Sequence, residues 1–423
     1  MKFTLISNIF EPHVRGGYEL GCATIGQRLQ SLGHEVAVLT SQSPGVLEKT
    51  AATSGLMVHR IFEPVFEYEE HLCGVFARSG LWQRRVDSAF GGVIAANVIA
   101  LHHFLAGHPA DVIWLFNPLG LGPVGIAEAV AAQRGKCLVH FMDHIDDTVA
   151  AHQHFHHYLG RWRRNKKRLT AISCSKKIRR SNEQLGNYRQ HHVIYNGFSP
   201  SDLPTMAPRL PDAPMGFLYF GQLSREKGLP QVVQSFAAFA RRRPQLECRL
   251  DLIGRGSEAF ENELRGLIQR ERLAGRARCL GFMPKTQLLG RLPEYDAAVM
   301  LLNNAEPFAF SPLEAASAGV PVILTAETGN AEVFPRDYPL LVPDRDDLAG
   351  VVNKMEWCAA HRGELRPCAE KLWQHLAARC HLDRVTMPAY LQAIAECPQN
   401  DGPADLSPLL AASATVDFYS QFQ

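Results

Sequence analysis

The chain of 423 residues contains 46% hydrophobic and 20% charged residues and has a formal net charge of +2. Its length predicts two domains, and its nearly balanced charge excludes nucleic acid as a partner selected by bulk charge. Apolar runs stay well below the roughly 18 residues of a membrane-spanning helix. Ten cysteines, scattered from Cys22 to Cys397 without a Cys-x-x-Cys pair, indicate reduced thiols in a cytoplasmic protein.

The N-terminal half begins with a strand, a glycine loop and a helix. The apolar run Phe3–Ile6 predicts a buried strand, Gly16-Gly17 marks a loop, and apolar residues at helical spacing follow. Later apolar runs predict further strands at 36–39, 112–116, 137–141, 169–172 and 192–195. Strands that alternate with helical stretches are typical of a doubly wound parallel sheet.

This alternation stops near Asn196-Gly197, where residues 199–216 contain five prolines and have the composition of a linker. It resumes with predicted strands at 217–220, 249–253, 279–280, 297–302 and 320–324. The predicted fold class is therefore α/β, with two Rossmann-like domains at 1–198 and 199–383 and a C-terminal helix within 384–423 that packs back on the first. Ligands bind at the carboxyl ends of such strands, so a cleft is expected where the two sheets face each other.

Phe220–Gly228 is the first stretch that predicts chemistry. Gly221 follows a predicted strand, where a glycine lets the backbone approach a ligand closely. Arg225 and Lys227 offer positive charge to a diphosphate. A plain strand-to-helix turn with solvated charges is the alternative that this stretch alone leaves open.

A second stretch, from Glu306 to Glu314, holds two glutamates separated by seven residues. Ser311, Pro312 and Glu314 suit a helix start, with Ser311 as the N-cap, Pro312 as the first helical residue and Glu314 completing a capping box. Glu314 therefore has a structural explanation. Glu306 has none, and a carboxylate on a loop after a buried strand is a candidate site residue.

In this order and spacing, the two stretches resemble the donor-binding half of glycosyltransferase family four, the large retaining GT-B family. The family's Gly-Arg-Leu-x-x-x-Lys-Gly loop corresponds to 221–228, and its Glu-x7-Glu motif corresponds to 306–315. The resemblance covers about residues 1–350. Further matching segments are Gly16-Gly17, Asn196-Gly197, Gly254-Arg255-Gly256, Gly319–Val322 and Gly329–Glu332.

The resemblance implies a role for each matching position. Lys227 would neutralise the donor diphosphate, Glu306 would bind the donor sugar, and Glu314 would bind the ribose hydroxyls. Backbone N–H groups from Phe308 to Ser311 would meet sugar or phosphate. The implied donor-binding set is Gly16, Gly17, Gly221, Arg225, Gly254, Phe308, Ala309, Phe310, Ser311 and Glu314.

The chain departs from the family pattern at three positions. Gln222 replaces the arginine of the phosphate loop, and Arg225 is the candidate substitute for its charge. Ala309 replaces a glycine. Met142 stands where relatives have histidine, so Asp143 is the predicted polar group near the reacting centre, with His144 as the next candidate. The predicted catalytic set is Asp143, Glu306 and Lys227.

The resemblance implies a retaining, metal-independent hexosyltransferase that uses a UDP or GDP sugar as co-substrate and needs no other cofactor. The implied acceptor is a glycan or a lipid-linked sugar of cell-surface polysaccharide biosynthesis. A catalytically silent sugar-nucleotide-binding protein is the alternative. A dehydrogenase is disfavoured because the first loop lacks Gly-x-Gly-x-x-Gly.

Two further clusters leave alternatives open. Basic residues crowd 161–180 around Trp162, which suits either a solvated face or docking at the anionic inner surface of a membrane. Four histidines lie within His152–His157, and Asp344-Arg345-Asp346 resembles a metal-binding triplet. The histidines are interpreted as lining a polar cleft and Asp346 as a helix cap, so no metal site is predicted.

Overall fold

The computed structural model describes residues 1–14, 16–43, 45–63, 80–152, 157–200 and 213–400. The chain divides into two compact units. The first comprises Met1–Ile194 and the segment from Ala389 onward, and the second comprises Tyr195–Pro388. The sequence placed these boundaries a few residues away, after residues 198 and 383.

The first unit is an alternating α/β structure. Its strands are β1 (Lys2–Ser7), β2 (Glu35–Ser41), β3 (Thr50–Thr53), β4 (Leu56–Phe62), β5 (Val112–Asn117), β6 (Gly135–Phe141), β7 (Thr170–Ser173) and β8 (Gln190–Val193). Its helices before the crossover are α1 (Gly17–Ser31), α2 (Gly80–Gly91), α3 (Ala95–Gly107), α4 (Pro123–Ala131), α5 (Ile145–Ala151), α6 (His157–Lys166) and α7 (Lys176–Ser181).

The strands of this unit form one sheet in the order β3-β4-β2-β1-β5-β6-β7-β8. Every residue of β5 is buried, as expected for a strand covered on both faces. Leu5 of β1 lies opposite Val38 on one side and Trp114 on the other, in parallel register. The strand order reverses between β1 and β5, so their carboxyl ends form a topological switch point, the usual place for a ligand.

One hairpin was missing from the sequence-based prediction. Strands β3 and β4 pair antiparallel around Ser54 and Gly55, whose φ angles of 51° and 80° fit a two-residue hairpin turn. The four residues of β3 are not strongly apolar, so the sequence shows no alternation of apolar and polar residues that would predict a strand there. Strand β8 also lies two residues before the predicted run 192–195.

The segment after the second unit returns to the first. Strand β15 (Gln399–Asn400) pairs antiparallel with the start of β6. The preceding helix ends near Lys136, whose Nζ donates to the carbonyl oxygens of Ile394 and Ala395 at 2.6 and 2.8 Å. A cation at a helix C-terminus is stabilising there. The helix Met387–Glu396 lies within the range 384–423 where a C-terminal helix was predicted, and residues 401–423 lie outside the described residues.

The second unit begins at Tyr195 and contains β9 (Met215–Phe220), α8 (Leu229–Arg242), β10 (Cys248–Ile253), α9 (Glu258–Arg270), β11 (Ala277–Gly281), α10 (Lys285–Arg291), β12 (Ala297–Met300), α11 (Ser311–Ser317), β13 (Val322–Thr325), β14 (Leu341–Val342), α12 (Leu348–Ala360) and α13 (Leu365–Cys380). A π-helical turn, Leu382–Thr386, leads into α14 (Met387–Glu396), which crosses to the first unit.

This unit has a parallel sheet in the order β11-β10-β9-β12-β13-β14. Phe217 of β9 packs at right angles against Phe239 of α8, with ring centroids 5.4 Å apart. The order reverses between β9 and β12, which pair directly through Ala297 and Phe217. The loops that follow these two strands therefore emerge side by side at a switch point.

The basic run 161–180 is not a uniform surface patch. Trp162 and Lys166 are buried, and Lys166 Nζ lies 2.5 Å from Asp146 Oδ2. Arg161 binds Glu128 at 3.3 Å. The exposed cations of α6, α7 and the turn between α6 and β7 are Arg163, Arg164, Lys167, Lys176 and Arg180. Among the described residues, no helix is long and apolar enough to cross a membrane.

Candidate active site

The predicted site residues divide between the two units. Gly16, Gly17 and Asp143 lie in the first unit, and the donor-side residues from Gly221 to Glu314 lie in the second. In both units they follow the carboxyl ends of parallel strands.

Lys227 and Glu306 meet at the switch point of the second unit. Lys227 follows β9, Glu306 follows β12, and Nζ lies 2.5 Å from Oε2. The lysine side chain is 27% exposed and the glutamate 10%, so the pair is partly shielded from water, where charges interact more strongly. The structure thus brings two of the three predicted catalytic residues into direct contact.

A buried tyrosine, Tyr219, holds the loop that carries Lys227. The Tyr219 hydroxyl donates to the carbonyl oxygen of Gln222 at 2.7 Å and so fixes the backbone of the loop that carries Lys227. Burial, with a smaller contribution from the Glu306 carboxylate, raises the pKa of Tyr219. The phenol therefore stays protonated and remains a hydrogen-bond donor.

Gly254 is required by the close approach of two loops. Its φ is +150°, and a Cβ atom there would lie 1.7 Å from the carbonyl oxygen of Gly221. The same loops are joined by the N–H of Leu223, which donates to Arg255 O at 2.9 Å. These glycines allow the two backbones to pack closely beside the loop that carries Lys227, which side chains would prevent.

Arg225, the predicted substitute for the missing arginine, is exposed and binds Glu263 of α9. It is not part of the Lys227–Glu306 pair. A guanidinium that is 61% exposed contributes weakly through such a pair. Position 222 is glutamine, and Arg225 is paired with Glu263. Among the residues described around the switch point, Lys227 is therefore the cation closest to Glu306.

The predicted cap of α11 is wrong. The N-cap is Phe310, whose φ and ψ of −75° and −33° are already helical, and Ser311 is the first helical residue. The helix therefore begins one residue earlier than the Ser-Pro pattern indicates, and no side chain caps it. Glu314 does not complete a capping box; its Oε1 lies 3.1 Å from Nζ of Lys285, at the start of α10.

Because Ser311 is not the N-cap of α11, replacing it should have a small effect on stability. Replacing Ser311 with alanine should change the free energy of unfolding by less than about 0.5 kcal/mol. Ser257 is the matched control, because its Oγ accepts from the Phe260 N–H at 3.3 Å as the N-cap of α9. Ser257→Ala should cost about 1 kcal/mol. Equal losses in urea unfolding would contradict the observed helix start.

One backbone N–H group of the loop from Glu306 to Ser311 is already paired with a side chain of the protein. The N–H of Ala309 donates to Asn330 Oδ1 at 2.8 Å, so the prediction that this N–H meets the donor is corrected. Phe308 is buried, with its ring 5.6 Å from that of Tyr195. Within the described residues the N–H groups of Phe308, Phe310 and Ser311 donate no hydrogen bond and stay candidates for donor contact.

Asp143 follows β6 in the first unit. The hydroxyl of half-buried Tyr18 accepts from the Met142 N–H at 3.0 Å. Burial, and secondarily the Asp143 carboxylate, raises the pKa of Tyr18. Asp143 Oδ1 accepts from the His144 N–H at 2.9 Å, whereas the His144 ring binds Ser181 Oγ at 2.7 Å.

The first glycine loop is hydrogen-bonded to a glutamate side chain of the helix that follows it. The N–H of Gly16 donates to Glu19 Oε2 at 3.0 Å, at the start of α1. Gly16 has an extended φ of −159°, and a Cβ atom there would lie 3.8 Å from Glu19. Within this unit, therefore, neither backbone strain nor crowding requires a glycine at position 16.

The loop of Asp143 is anchored by a buried network that the sequence did not reveal. Asn182 Nδ2 donates to Asp143 O at 2.8 Å, and Asn182 Oδ1 accepts from the Asp146 N–H at 3.0 Å. Asp146 also binds Trp162 Nε1 at 2.8 Å and the Lys166 ammonium. Buried aspartate and lysine are rare, and no local pattern distinguishes these two from solvated residues.

The clusters interpreted as not binding metal have structural partners where they are described. His152 Nδ1 lies 3.2 Å from Asp87 Oδ1, whereas positions 153–156 lie outside the described residues. Helix α12 is capped by Asp347, not by Asp346 as predicted, because Asp347 Oδ1 accepts from the Gly350 N–H at 2.9 Å. Among the described residues, no group of three or more His, Cys, Asp or Glu side chains is arranged to hold a metal ion.

Residues 207–371 match the model of the family described as "Glycosyl transferases group 1". Glycogen synthase from Mycobacterium tuberculosis is 24% identical over 348 residues, which are 78% of this chain and 80% of that protein. The GDP-mannose:cellobiosyl-diphosphopolyprenol alpha-mannosyltransferase of Xanthomonas campestris is 27% identical over 196 residues, 44% of this chain and 50% of that protein. The Anabaena protein HepE, solved with UDP and glucose, has a TM-score of 0.66 at 19% identity and covers 94% of this chain and 98% of its own.

The two parallel-sheet units, the site at the second switch point and these matches define a glycosyltransferase of the GT-B class. The segment similar to glycosyl transferases group 1, residues 207–371, includes every donor-side motif from Gly221 to Glu332.

Proposed function

We propose that the protein is a retaining, metal-independent glycosyltransferase that moves a sugar from a UDP or GDP sugar to a glycan or lipid-linked acceptor in cell-surface polysaccharide biosynthesis. The observation that carries this proposal is the Lys227–Glu306 pair, with Nζ and Oε2 2.5 Å apart at the switch point. A cation and a carboxylate at the ends of adjacent parallel strands suit a ligand that presents a diphosphate next to sugar hydroxyls.

In the proposed reaction, diphosphate oxygens engage the Lys227 ammonium, and the Glu306 carboxylate turns to the donor sugar. The bond between the anomeric carbon and the diphosphate oxygen breaks while the acceptor oxygen bonds to that carbon from the same face. The acceptor proton passes to the departing diphosphate. Lys227 stabilises the charge that grows on the leaving group, and such electrostatic stabilisation is usually the largest catalytic effect.

Two other carboxylates have proposed roles, Glu314 in the second unit and Asp143 in the first. Glu314 binds the ribose hydroxyls, and its Oε1 lies 3.1 Å from the ammonium group of Lys285. Asp143 is the proposed polar group of the first unit. Its neighbour Tyr18 stays neutral, because burial raises the pKa of that phenol.

The relatives support the proposed substrate classes. HepE was solved with UDP and glucose, and the Xanthomonas campestris relative is named for a GDP-mannose donor and a diphosphopolyprenol-linked acceptor. An acceptor of that kind lies at a membrane. The exposed cations among residues 161–180 are proposed to dock on an anionic inner membrane surface, each contributing about 1 kcal/mol.

A catalytically silent sugar-nucleotide-binding protein is the second candidate. Gln222 and Met142, which replace the arginine and histidine of relatives, favour it. Retention of the Lys227–Glu306 pair favours catalysis, because binding without transfer needs no carboxylate beside the sugar. Turnover of a bound donor separates the two candidates.

We expect one class of nucleoside diphosphate to stabilise the purified protein in a thermal-shift panel that contains EDTA. A ligand at one hundred times its dissociation constant contributes about 2.7 kcal/mol. The panel holds UDP, GDP and ADP, their sugar conjugates and NAD, and NAD is the negative control. Stabilisation that appears only after a divalent cation is added would contradict metal independence, and no stabilisation by any nucleotide would contradict the donor class.

A further inference from the structure

Two buried carboxamides hold the backbone of the loop that carries Glu306. Asn330, in the turn Gly329–Glu332, has no exposed surface. Its Oδ1 accepts from the N–H of Ala309 and its Nδ2 donates to the carbonyl oxygen of the same residue, both at 2.8 Å. Asn196 is 2% exposed and donates from Nδ2 to Phe308 O at 3.0 Å.

The turn of Asn330 also holds the beginning of this loop. The N–H of Gly329 donates to the carbonyl oxygen of Glu306 at 3.1 Å. Consecutive residues of one turn therefore bind the backbone at Glu306 and at Ala309. Because both polar groups of Ala309 are paired with one side chain, rotation of the peptide groups on either side of this residue is restricted.

A carboxamide suits this position for a chemical reason. Asparagine offers an acceptor and a donor side by side, which match the N–H and C=O of one residue. An aspartate carboxylate of nearly the same size offers acceptors alone and would face the Ala309 carbonyl without a proton to share. Loss of the side chain would leave two buried backbone groups unpaired, which a folded loop avoids by rearranging.

We propose that Asn330, assisted by Asn196, is the positioning residue that keeps the Glu306 carboxylate at the Lys227 ammonium, an inference that rests on the proposed glycosyl transfer. Asn330 acts through the backbone of Ala309 and not through contact with the sugar. Nucleotide binding relies instead on Lys227, which lies on another loop, and on Glu314, whose helix α11 is held in the core by buried Leu313 and Ala316. Loosening the loop should therefore slow transfer without weakening nucleotide binding.

The test compares Asn330→Ala and Asn330→Asp with the wild-type protein. We expect kcat to fall about 10- to 100-fold, because displacement of a reacting group by about 1 Å has effects of that order. The dissociation constant of the nucleoside diphosphate alone should stay within about threefold. Amide hydrogen exchange should become faster in the peptide that contains Ala309, with unchanged melting of the unit showing that the variants fold.

Asn262→Ala is the matched control, since this exposed amide of α9 accepts one hydrogen bond, from Arg265 at 2.9 Å. Its kcat and its exchange near Ala309 should equal those of the wild type. Asn196→Ala removes one contact to the loop and should give a smaller loss than Asn330→Ala.

The isosteric variant keeps the proposal open to refutation even where the alanine variant fails to fold. Wild-type kcat and wild-type exchange near Ala309 in Asn330→Asp would overturn the proposal, as would parallel losses of kcat and of nucleotide affinity. The proposed function fails separately, if the wild type itself transfers no sugar. In that case faster exchange near Ala309 in Asn330→Asp still supports the positioning of the loop, and unchanged exchange overturns it.

Discussion

Replacing Lys227 with alanine is expected to lower kcat for sugar transfer about 100- to 1000-fold, the usual loss when one group that stabilises developing negative charge is removed. Lys227 Nζ is the cation 2.5 Å from Glu306 Oε2 at the switch point. Without it, the departing diphosphate gains its charge beside a carboxylate. Steady-state kinetics with the donor that binds in the thermal-shift panel measure the loss.

Lys371→Ala is the control for this experiment, because Lys371 is an exposed lysine of α13 outside the site. Its kinetics should match those of the wild type. Lys227→Arg retains a cation and should recover part of the lost rate. Undiminished transfer by Lys227→Ala would contradict the assignment of the diphosphate site.

A double variant distinguishes two roles of Lys227. If the lysine served merely to hold Glu306, adding Lys227→Ala to Glu306→Ala would cause no further loss. Our account predicts a further loss, because Lys227 also contacts the diphosphate. A rate for the double variant equal to that of Glu306→Ala would contradict this second role.

Lys166→Met is expected to destabilise the first unit by about 3–5 kcal/mol, the range observed when one partner of a buried ion pair is removed. Lys166 Nζ lies 2.5 Å from Asp146 Oδ2 and donates to the carbonyl oxygens of Asn182 and Gly186 at 2.8 and 3.1 Å. Burial raises the pKa of Asp146 and lowers that of Lys166. Each charge therefore depends on the other.

The neighbouring Lys167 is exposed, so Lys167→Met is the matched control and should change the unfolding free energy by less than about 0.5 kcal/mol. Adding Asp146→Asn to Lys166→Met should restore part of the lost stability, because it removes the unpaired buried charge. A loss below about 1 kcal/mol in Lys166→Met, measured by urea unfolding, would contradict this account of the network.

The loss of stability in Lys166→Met should depend on pH in a defined direction. Without Lys166, burial raises the pKa of Asp146 further above that of an unfolded aspartate, about 3.9. A group with a raised folded pKa binds its proton more tightly when folded, so its stabilising effect is present at low pH and lost as pH rises through the folded pKa. The deficit of Lys166→Met relative to wild type should therefore shrink on acidification.

The strands and the site loops were predictable because their signals are local. Short apolar runs placed β9 and β12, and the motifs after them placed Lys227 and Glu306. Parallel sheets bring carboxyl ends to one edge, so the meeting of these two side chains follows from the alternating pattern. The resemblance to a family added their roles, which the pattern alone does not contain.

The partners of these residues were not predictable, because they are distant in sequence. Nothing around Asn330 indicates that its amide pairs with Ala309, and Lys285 lies 29 positions before Glu314, its ion-pair partner. The cap of α11 was misjudged because Ser311-Pro312 suits a helix start, whereas the helical dihedral angles of Phe310 depend on the packing of the whole loop. Lys166 looked like one more surface cation among its basic neighbours.

The most direct test of the central claim is the anomeric configuration of the sugar first released or transferred, followed by proton NMR in EDTA. A panel of UDP and GDP sugars with simple alkyl glycosides as acceptors supplies the substrates. The account predicts a product with the configuration of the donor, formed without a divalent cation and about 100- to 1000-fold more slowly by Lys227→Ala. A product of opposite configuration, or undiminished turnover in Lys227→Ala, would contradict it.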